Sequence, residues 1–251
     1  MRTDERKTSR DHWDNFYSAN PRFRLPSKLI VATRNLQRLL KPHINRGDKV
    51  LEIGFAPGKQ LAYIAKQYGA DVAGVDYSDT GIAIARKLFA ELGIVGDLRK
   101  EDIFRTSFEA GTFDFIYSVG VIEHFNDPRE LVRIHVDLLK PGGVTLILIP
   151  NYGGHYGKLQ KYFDPENLLI HNLKIMTCEA MRDLAPADLA DEVRAFKSGR
   201  IDPSQLSLGQ KWPRQVAKVF HLFFTALGGL QPFDIPALCP WIGLEIRKKQ
   251  A

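Results

Sequence analysis

Two cysteines, Cys178 and Cys239, are the only thiols in 251 residues. Standing far apart, they exclude a disulfide framework and favour a reducing cytoplasm. No stretch reaches the roughly 18 uninterrupted apolar residues of a membrane-crossing helix, and the amino end is too charged for a secretory leader, so a soluble chain is expected. Charge of a single sign is scarce as well: 35 Lys and Arg against 29 Asp and Glu leave a net +6 that is spread along the chain. Arg22, Arg24, Lys28, Arg34 and Arg38 make the amino end basic, which reads first as a solvated face and second as suited to an acidic substrate or an anionic surface. Neither the basic-aromatic interleaving of a nucleic-acid module nor a zinc-ligand cluster is present, so neither nucleic acid nor a metal is expected. At 44% hydrophobic residues, the chain can bury one full core with room for additions.

Residues 50–53 form an apolar strand interrupted by one acid, Glu52, and run into the turn Gly54-Phe55-Ala56-Pro57-Gly58. Pro57 and Gly58 bend the chain, while Gly54 and Ala56 carry little beyond backbone, so a flat ligand can lie against the main chain. A helix over 59–68 follows, with Leu61, Ile64 and Ala65 at helical spacing, and its first turn points free N–H groups at that ligand. A dinucleotide fingerprint would need glycine at 56 and 59, where this chain has Ala56 and Lys59. Glu52 would also repel a pyrophosphate. A cationic guest such as S-adenosylmethionine, with its sulfonium and ammonium, suits an acid there.

The following residues alternate strands and helices. Residues 71–76 read as a buried strand ending in Asp76, a carboxylate placed at a strand's carboxyl edge within reach of a ribose diol. A helix over 78–92 is stopped by Gly93. Further strands are expected over 98–103, 113–119 and 144–149, with Lys140-Pro141-Gly142-Gly143 as a turn. That alternation favours a parallel, doubly wound α/β sheet with its site at the carboxyl ends of the strands.

Residues 49–150 resemble a class I S-adenosylmethionine-dependent methyltransferase of the group acting on small molecules. The resemblance rests on an ordered set: Glu52-x-Gly54-x-x-x-Gly58, Asp76, Glu101-Asp102-Ile103, Ser118 with Gly120, Glu123-His124, and Lys140-Pro141-Gly142-Gly143. The chain departs at Phe55-Ala56-Pro57, where the family more often has a small residue, glycine and threonine. The resemblance implies a Rossmann-like, seven-stranded, mostly parallel sheet with an antiparallel last strand, and S-adenosyl-L-methionine as cofactor. It also places Gly54, Ala56 and Gly58 along the methionine part, with Glu52 among the cofactor-binding residues. Asp76 would take the ribose hydroxyls and Tyr77 would lie against the adenine. Asp102 would take the adenine amino group, the backbone of Ile103 would meet the ring nitrogen, and Ser118 with Gly120 would floor the sulfonium. The bland alternatives are a helix cap for Asp76, a solvated loop acid for Asp102 and a structural cap for Glu123 and His124.

The flanks are more individual, and one domain is expected in three parts: an N-terminal helical lid over 1–48, the cofactor-binding core over 49–150, and a substrate-side part over 151–251. In the first part a helix is expected over 27–40. Ahead of it, the cluster His12-Trp13-Asp14-Asn15-Phe16-Tyr17 resembles a segment that closes over the cofactor in many relatives. As a lid it would put Tyr17 on the methionine end; as an aromatic staple it would pack the helix, and both readings need buried rings. After the fifth strand, the loop is expected to face the small-molecule methyl acceptor: Tyr152, Tyr156 and Tyr162 would make pocket walls or pack the insertion, and His155 and His171 are candidate bases for a hydroxyl or satisfied loop histidines. A helix over 177–184 capped by Thr177 and strands over 192–196 and 241–246 complete the pattern. The long excursion between these strands holds an apolar stretch over 213–227. It reads as a core or homodimer-packing helix, then as a lipid-facing patch for peripheral membrane contact or a roof over a hydrophobic substrate.

The expected activity is methyl transfer from S-adenosylmethionine to an oxygen of a small molecule, such as a sugar or natural-product hydroxyl, with a nitrogen of a small amine as runner-up. A nicotinamide-dependent oxidoreductase is disfavoured by Glu52, Ala56 and Lys59. A non-catalytic binder on the same scaffold would leave Asp76 and Asp102 without a purpose.

Overall fold

The strand Lys49–Ile53 (β1) is buried along most of its length because it sits mid-sheet, paired in parallel with Asp71–Asp76 (β2) on one side and Phe113–Val119 (β4) on the other. The structure, a computed structural model, describes residues 6–19, 25–27 and 30–250; Arg22, Arg24 and Lys28 of the basic amino end lie outside these. Asp97–Lys100 (β3), Leu139–Pro150 (β5), Ala190–Ser198 (β6) and Trp241–Lys248 (β7) complete a seven-stranded sheet in the order β3-β2-β1-β4-β5-β7-β6. Strands β1 to β5 run parallel to their neighbours, and β7 is antiparallel to both β5 and β6. The strands that close the sheet thus come from the last hundred residues, as the resemblance implied.

Alternation along each strand feeds two core layers. Leu51, Ile53, Ile116 and Ile147 face one layer, while Val50, Phe115, Tyr117 and Leu146 face the other. Helices Lys59–Tyr68 (α3) and Asp79–Leu92 (α4) match the sequence expectation, the latter capped by the Ser78 hydroxyl on Gly81 N–H. Ahead of them lie Arg10–Ala19 (α1) and Val31–Leu40 (α2).

Several expectations are corrected. Lys140-Pro141-Gly142-Gly143 is a bulge inside β5: Leu139 pairs with Phe113, the next pair is Val144 with Phe115, and the loop between is tied down by Lys140 Nζ on the Asp114 carboxylate at 2.6 and 2.7 Å. Strand β3 ends at Lys100, and Ile103 belongs to a short 3-10 turn. A helix over Arg129–Asp137 (α5), unanticipated from the sequence, buries Leu131, Val132, His135 and Val136 against the sheet. Arg38 stays exposed, as a solvated face requires, and also holds both oxygens of Asp234 at 2.7 and 2.6 Å.

Beyond β5 come His155–Phe163 (α6), Pro165–Leu169 (α7) and Cys178–Arg182 (α8), the last capped by Thr177 on Ala180 N–H. The apolar stretch is the helix Arg214–Leu230 (α9), and it is not a core helix in this chain. Gly228 is its buried residue, whereas Val219, Phe223 and Leu230 are 68%, 62% and 82% exposed. Among the described residues no helix is long and apolar enough to cross a membrane.

Candidate active site at the carboxyl edge of the sheet

Because Ile53 pairs with Val75 and with Ser118, the ends of β1, β2 and β4 lie level, and the chain reverses its strand order between β1 and β4. A crevice opens at such a switch point. The turn after β1 adopts a left-handed backbone at Gly54 (φ +72°), and a Cβ there would come within 2.6 Å of Val121 Cγ2. Only glycine leaves that floor open. The turn is held by Asp76, whose Oδ2 accepts the Ala56 N–H at 3.1 Å and whose Oδ1 accepts the Ser78 N–H at 2.9 Å. Burial pushes the Asp76 carboxyl up, opposed by these backbone donors. Each oxygen keeps a further lone pair at the crevice edge. Ser78, not Asp76, caps α4.

Gly54, Ala56, Asp76 and Tyr77 line the cleft, as do Asp102, Ile103, Gly120 and Tyr17. Three expected cofactor residues do not. Gly58 is the left-handed residue before α3 and packs against α4, where a Cβ would meet Ala85 Cβ at 2.9 Å. Ser118 points into the layer under α5, its hydroxyl 3.0 Å from His135 Nε2. His135 Nδ1 donates to the Leu131 carbonyl, so its Nε2 is the acceptor and Ser118 the donor. Glu52 also turns away from the cleft, because it alternates with Leu51 and Ile53 along β1. Its Oε2 accepts the Tyr117 hydroxyl at 2.7 Å, and its carboxylate also takes the Leu61 N–H at the start of α3.

Burial raises the Glu52 carboxyl to about 8, so at neutral pH it is mostly uncharged and is not the anion expected to greet a cationic ligand. The folded state thus holds a proton that the unfolded chain releases near the ordinary value of 4.5. Stability from this group is complete below that value and falls as pH rises towards about 8. Glu52→Gln keeps an acceptor for Tyr117 without the proton, and is expected to raise the melting temperature relative to the native chain more at pH 8 than at pH 5. An equal offset at both pH values in thermal scans would refute this.

Helix α1 covers the crevice. Asp14 accepts the Ser78 hydroxyl at 2.6 Å and the Thr80 N–H at 3.0 Å, docking α1 on the start of α4. The Tyr17 hydroxyl donates to the Ala56 carbonyl at 2.8 Å, and Gly81 makes room for the Tyr17 ring. Trp13 meets His124 edge-on at 5.1 Å, whereas Phe16 is 51% exposed. The segment before α1 forms a strap that sequence reasoning missed: Arg6 pairs with Phe125 in an isolated bridge, and the Lys7 N–H donates to the His124 carbonyl at 2.7 Å. Arg6 places its guanidinium 4.9 Å from the Tyr77 ring centroid and 2.5 Å from Asp102 Oδ1. Asp102 Oδ1 also accepts the Phe104 N–H. No local signal in the sequence joins residue 6 to residue 102.

At the other end of the cleft, His124 lines the floor beside Gly120. Burial, together with the neighbouring His171, pushes His124 down to about 3, so it is neutral. His171 is buried with its ring centroid 4.8 Å from that of His124 and 5.2 Å from that of Tyr152. The loop carrying it is stitched down by Asn172, whose N–H donates to the Glu123 carbonyl at 2.6 Å and whose side chain donates to Phe125 and Asn126. His155 is not in this group; it stands exposed at the start of α6. Glu123-His124, expected to be a cap, makes no side-chain cap; His124 reaches the cleft floor and Glu123 is buried behind it.

Residues 24–187 match the family described as methyltransferase domain. Over 133 residues the chain is 32% identical to phosphoethanolamine N-methyltransferase 2 of Caenorhabditis elegans, which takes in 51% of this chain and 30% of that protein. It is 34% identical over 99 residues to a ubiquinone biosynthesis O-methyltransferase of Bordetella avium, 39% of this chain and 41% of that one. The chain therefore spans less than half the length of both relatives. A solved structure of phosphoethanolamine N-methyltransferase 2 from Haemonchus contortus, in complex with phosphomonomethylethanolamine and S-adenosylhomocysteine, is similar with a TM-score of 0.61 at 20% identity, over 87% of this chain and 52% of that one. At that identity the likeness is one of fold.

Proposed function

Since the chain belongs to the class I S-adenosylmethionine-dependent methyltransferases, we propose that it transfers a methyl group from S-adenosylmethionine to an oxygen of a small molecule. The cleft residues fit the donor. The open glycine turn accepts a flat backbone-contacting ligand, Asp76 has acceptor capacity to spare at the edge, and Tyr77 and Ile103 offer apolar faces to a ring. In this reading Asp76 holds the ribose hydroxyls, Asp102 the adenine amino group, and Gly54 with Ala56 the methionine end. Bound there, the donor supplies an electrophilic methyl on a sulfonium.

The chain's own part is to position and to exclude water. Tyr17 and Trp13 on α1 cover the cleft, so the displacement proceeds away from bulk solvent. Holding the acceptor in line with the methyl supplies most of the acceleration. The observation that carries an oxygen acceptor is the neutral His124 beside Gly120. With Nδ1–H committed to the Ile170 carbonyl at 2.8 Å, Nε2 is left as a hydrogen-bond acceptor for a hydroxyl. His124 takes the place beside the acceptor that the sequence gave to His155 and His171, as a hydrogen-bond acceptor that orients the hydroxyl; the burial that keeps it neutral also makes it a weak base. The two relatives divide between O- and N-methyltransferases, so they support the donor and not the acceptor atom.

The test is a panel of hydroxyl, phenol, carboxylate and amine acceptors with a donor carrying a ¹³C methyl. Labelled O-methyl product by NMR is expected; N-methyl product alone would overturn the choice of oxygen.

A further inference from the structure

Behind the cleft floor, next to His124, Glu123 carries a carboxyl that the fold leaves without a partner. It is fully buried, and both of its carboxylate oxygens lack any hydrogen-bond partner. Leaving a buried carboxyl unpaired is costly, and a fold that tolerates this needs a reason.

The reason stands beside it. One ligand atom each from Glu123, His124 and His171 lies within 4.8 Å of the other two, and all three residues are buried. Both imidazoles are already oriented: Nδ1 of His124 lies 2.8 Å from the Ile170 carbonyl, and Nδ1 of His171 lies 2.6 Å from the Asn167 carbonyl. A carbonyl can only accept, so in each ring Nδ1 carries the proton and Nε2 keeps a free lone pair. Backbone carbonyls holding the far nitrogen are the usual support behind metal-binding histidines. Neither Nε2 has a hydrogen bond among the described residues.

We propose that Glu123, His124 and His171 form a binding site for a single borderline divalent cation of the zinc, cobalt, iron or manganese kind. Two imidazole nitrogens with one carboxylate oxygen select such ions over magnesium or calcium, which prefer oxygen throughout. Ligand bonds of about 2.1 Å would draw the three atoms to about 3.4 Å from one another. The site borders the cleft, since His124 lines it and a Cβ on Gly120, also in the lining, would stand 3.6 Å from Glu123 Oε1. One carboxylate leaves a divalent ion with a positive charge to spare. With the ion bound, His124 Nε2 is a ligand and no longer the hydroxyl's acceptor; an acceptor hydroxyl in an open position of the ion would lose its proton more readily instead. That use rests on the methyl-transfer reading, but the site does not.

The test uses the full chain, freed of metal by a chelator and titrated with Co²⁺ at neutral pH while visible absorption is recorded. A d–d band that saturates at one equivalent and is displaced by Zn²⁺ is expected. His171→Ala and Glu123→Gln should each weaken Co²⁺ binding by about 100-fold. His171→Cys should bind Co²⁺ and add a thiolate-to-cobalt band in the near ultraviolet, a signature that a purely structural role cannot produce and that serves even if the alanine variant fails to fold. No d–d band in the native chain, or no charge-transfer band in a folded His171→Cys, would overturn the site. Calorimetric binding of S-adenosylhomocysteine to the same metal-free protein reports separately on the donor cleft.

Discussion

Replacing Asp76 by alanine is expected to weaken binding of S-adenosylhomocysteine by about 2 to 4 kcal/mol, roughly 30- to 1000-fold. The size follows from the two jobs that one carboxylate performs. It offers acceptor capacity to a ribose at the end of β2, and it also pins the turn by taking the Ala56 and Ser78 N–H groups. Alanine removes the ligand contact and leaves both N–H groups unpaired where the turn must keep its shape. Asp76→Asn separates the two, since its carbonyl oxygen can still accept from one of them; it should fall between alanine and the native chain. Titration calorimetry decides the matter, and an affinity for Asp76→Ala within threefold of the native value would sink the assignment of Asp76 to the ribose.

His124→Ala is expected to lower turnover by about 100-fold through lost positioning of the acceptor, with the affinity for the spent cofactor changed much less. His124 sits on the acceptor side of the floor beside Gly120 and meets Trp13 edge-on, while the contacts assigned to the adenosyl group lie on Asp76, Tyr77, Asp102 and Ile103. Single-turnover methyl transfer at saturating donor isolates that step. If the variant transfers at the native rate, positioning by the cleft walls alone accounts for the chemistry and His124 has no part in it. His155→Ala serves as the contrast: standing exposed at the start of α6, it should leave the single-turnover rate unchanged.

Much of the donor side was legible before any coordinates. The strand over 71–76 and the helix over 59–68 appear where the periodicity placed them, because both are short-range consequences of burial pattern and of glycines that permit a left-handed turn. Helix α5 escaped notice although Leu131, Val132 and Val136 share one face; its fourth buried position is a histidine, which hydropathy does not count. Glu52 was assigned to the ligand by charge, whereas its direction is set by the pleat: with Leu51 and Ile53 facing one layer, Glu52 faces the other, beneath α3. Ser118 failed for the same reason, its hydroxyl going to His135.

What residues 49–150 encode by themselves is a glycine turn after β1 and an acid at the end of β2. These features depend on neighbours a few positions away, and sequence spacing encodes such distances. Other features depend on chain brought from afar. Arg6 reaches Asp102, His171 reaches His124 and Glu123, and α9 is left with its apolar face outward. Each of these contacts is chosen by how the loops after β5 and the strap before α1 pack on the finished sheet, and no spacing within a single segment specifies that. Glu123 and His124 are adjacent in the chain, yet the third member of their cluster, His171, joins them only when the sheet has folded.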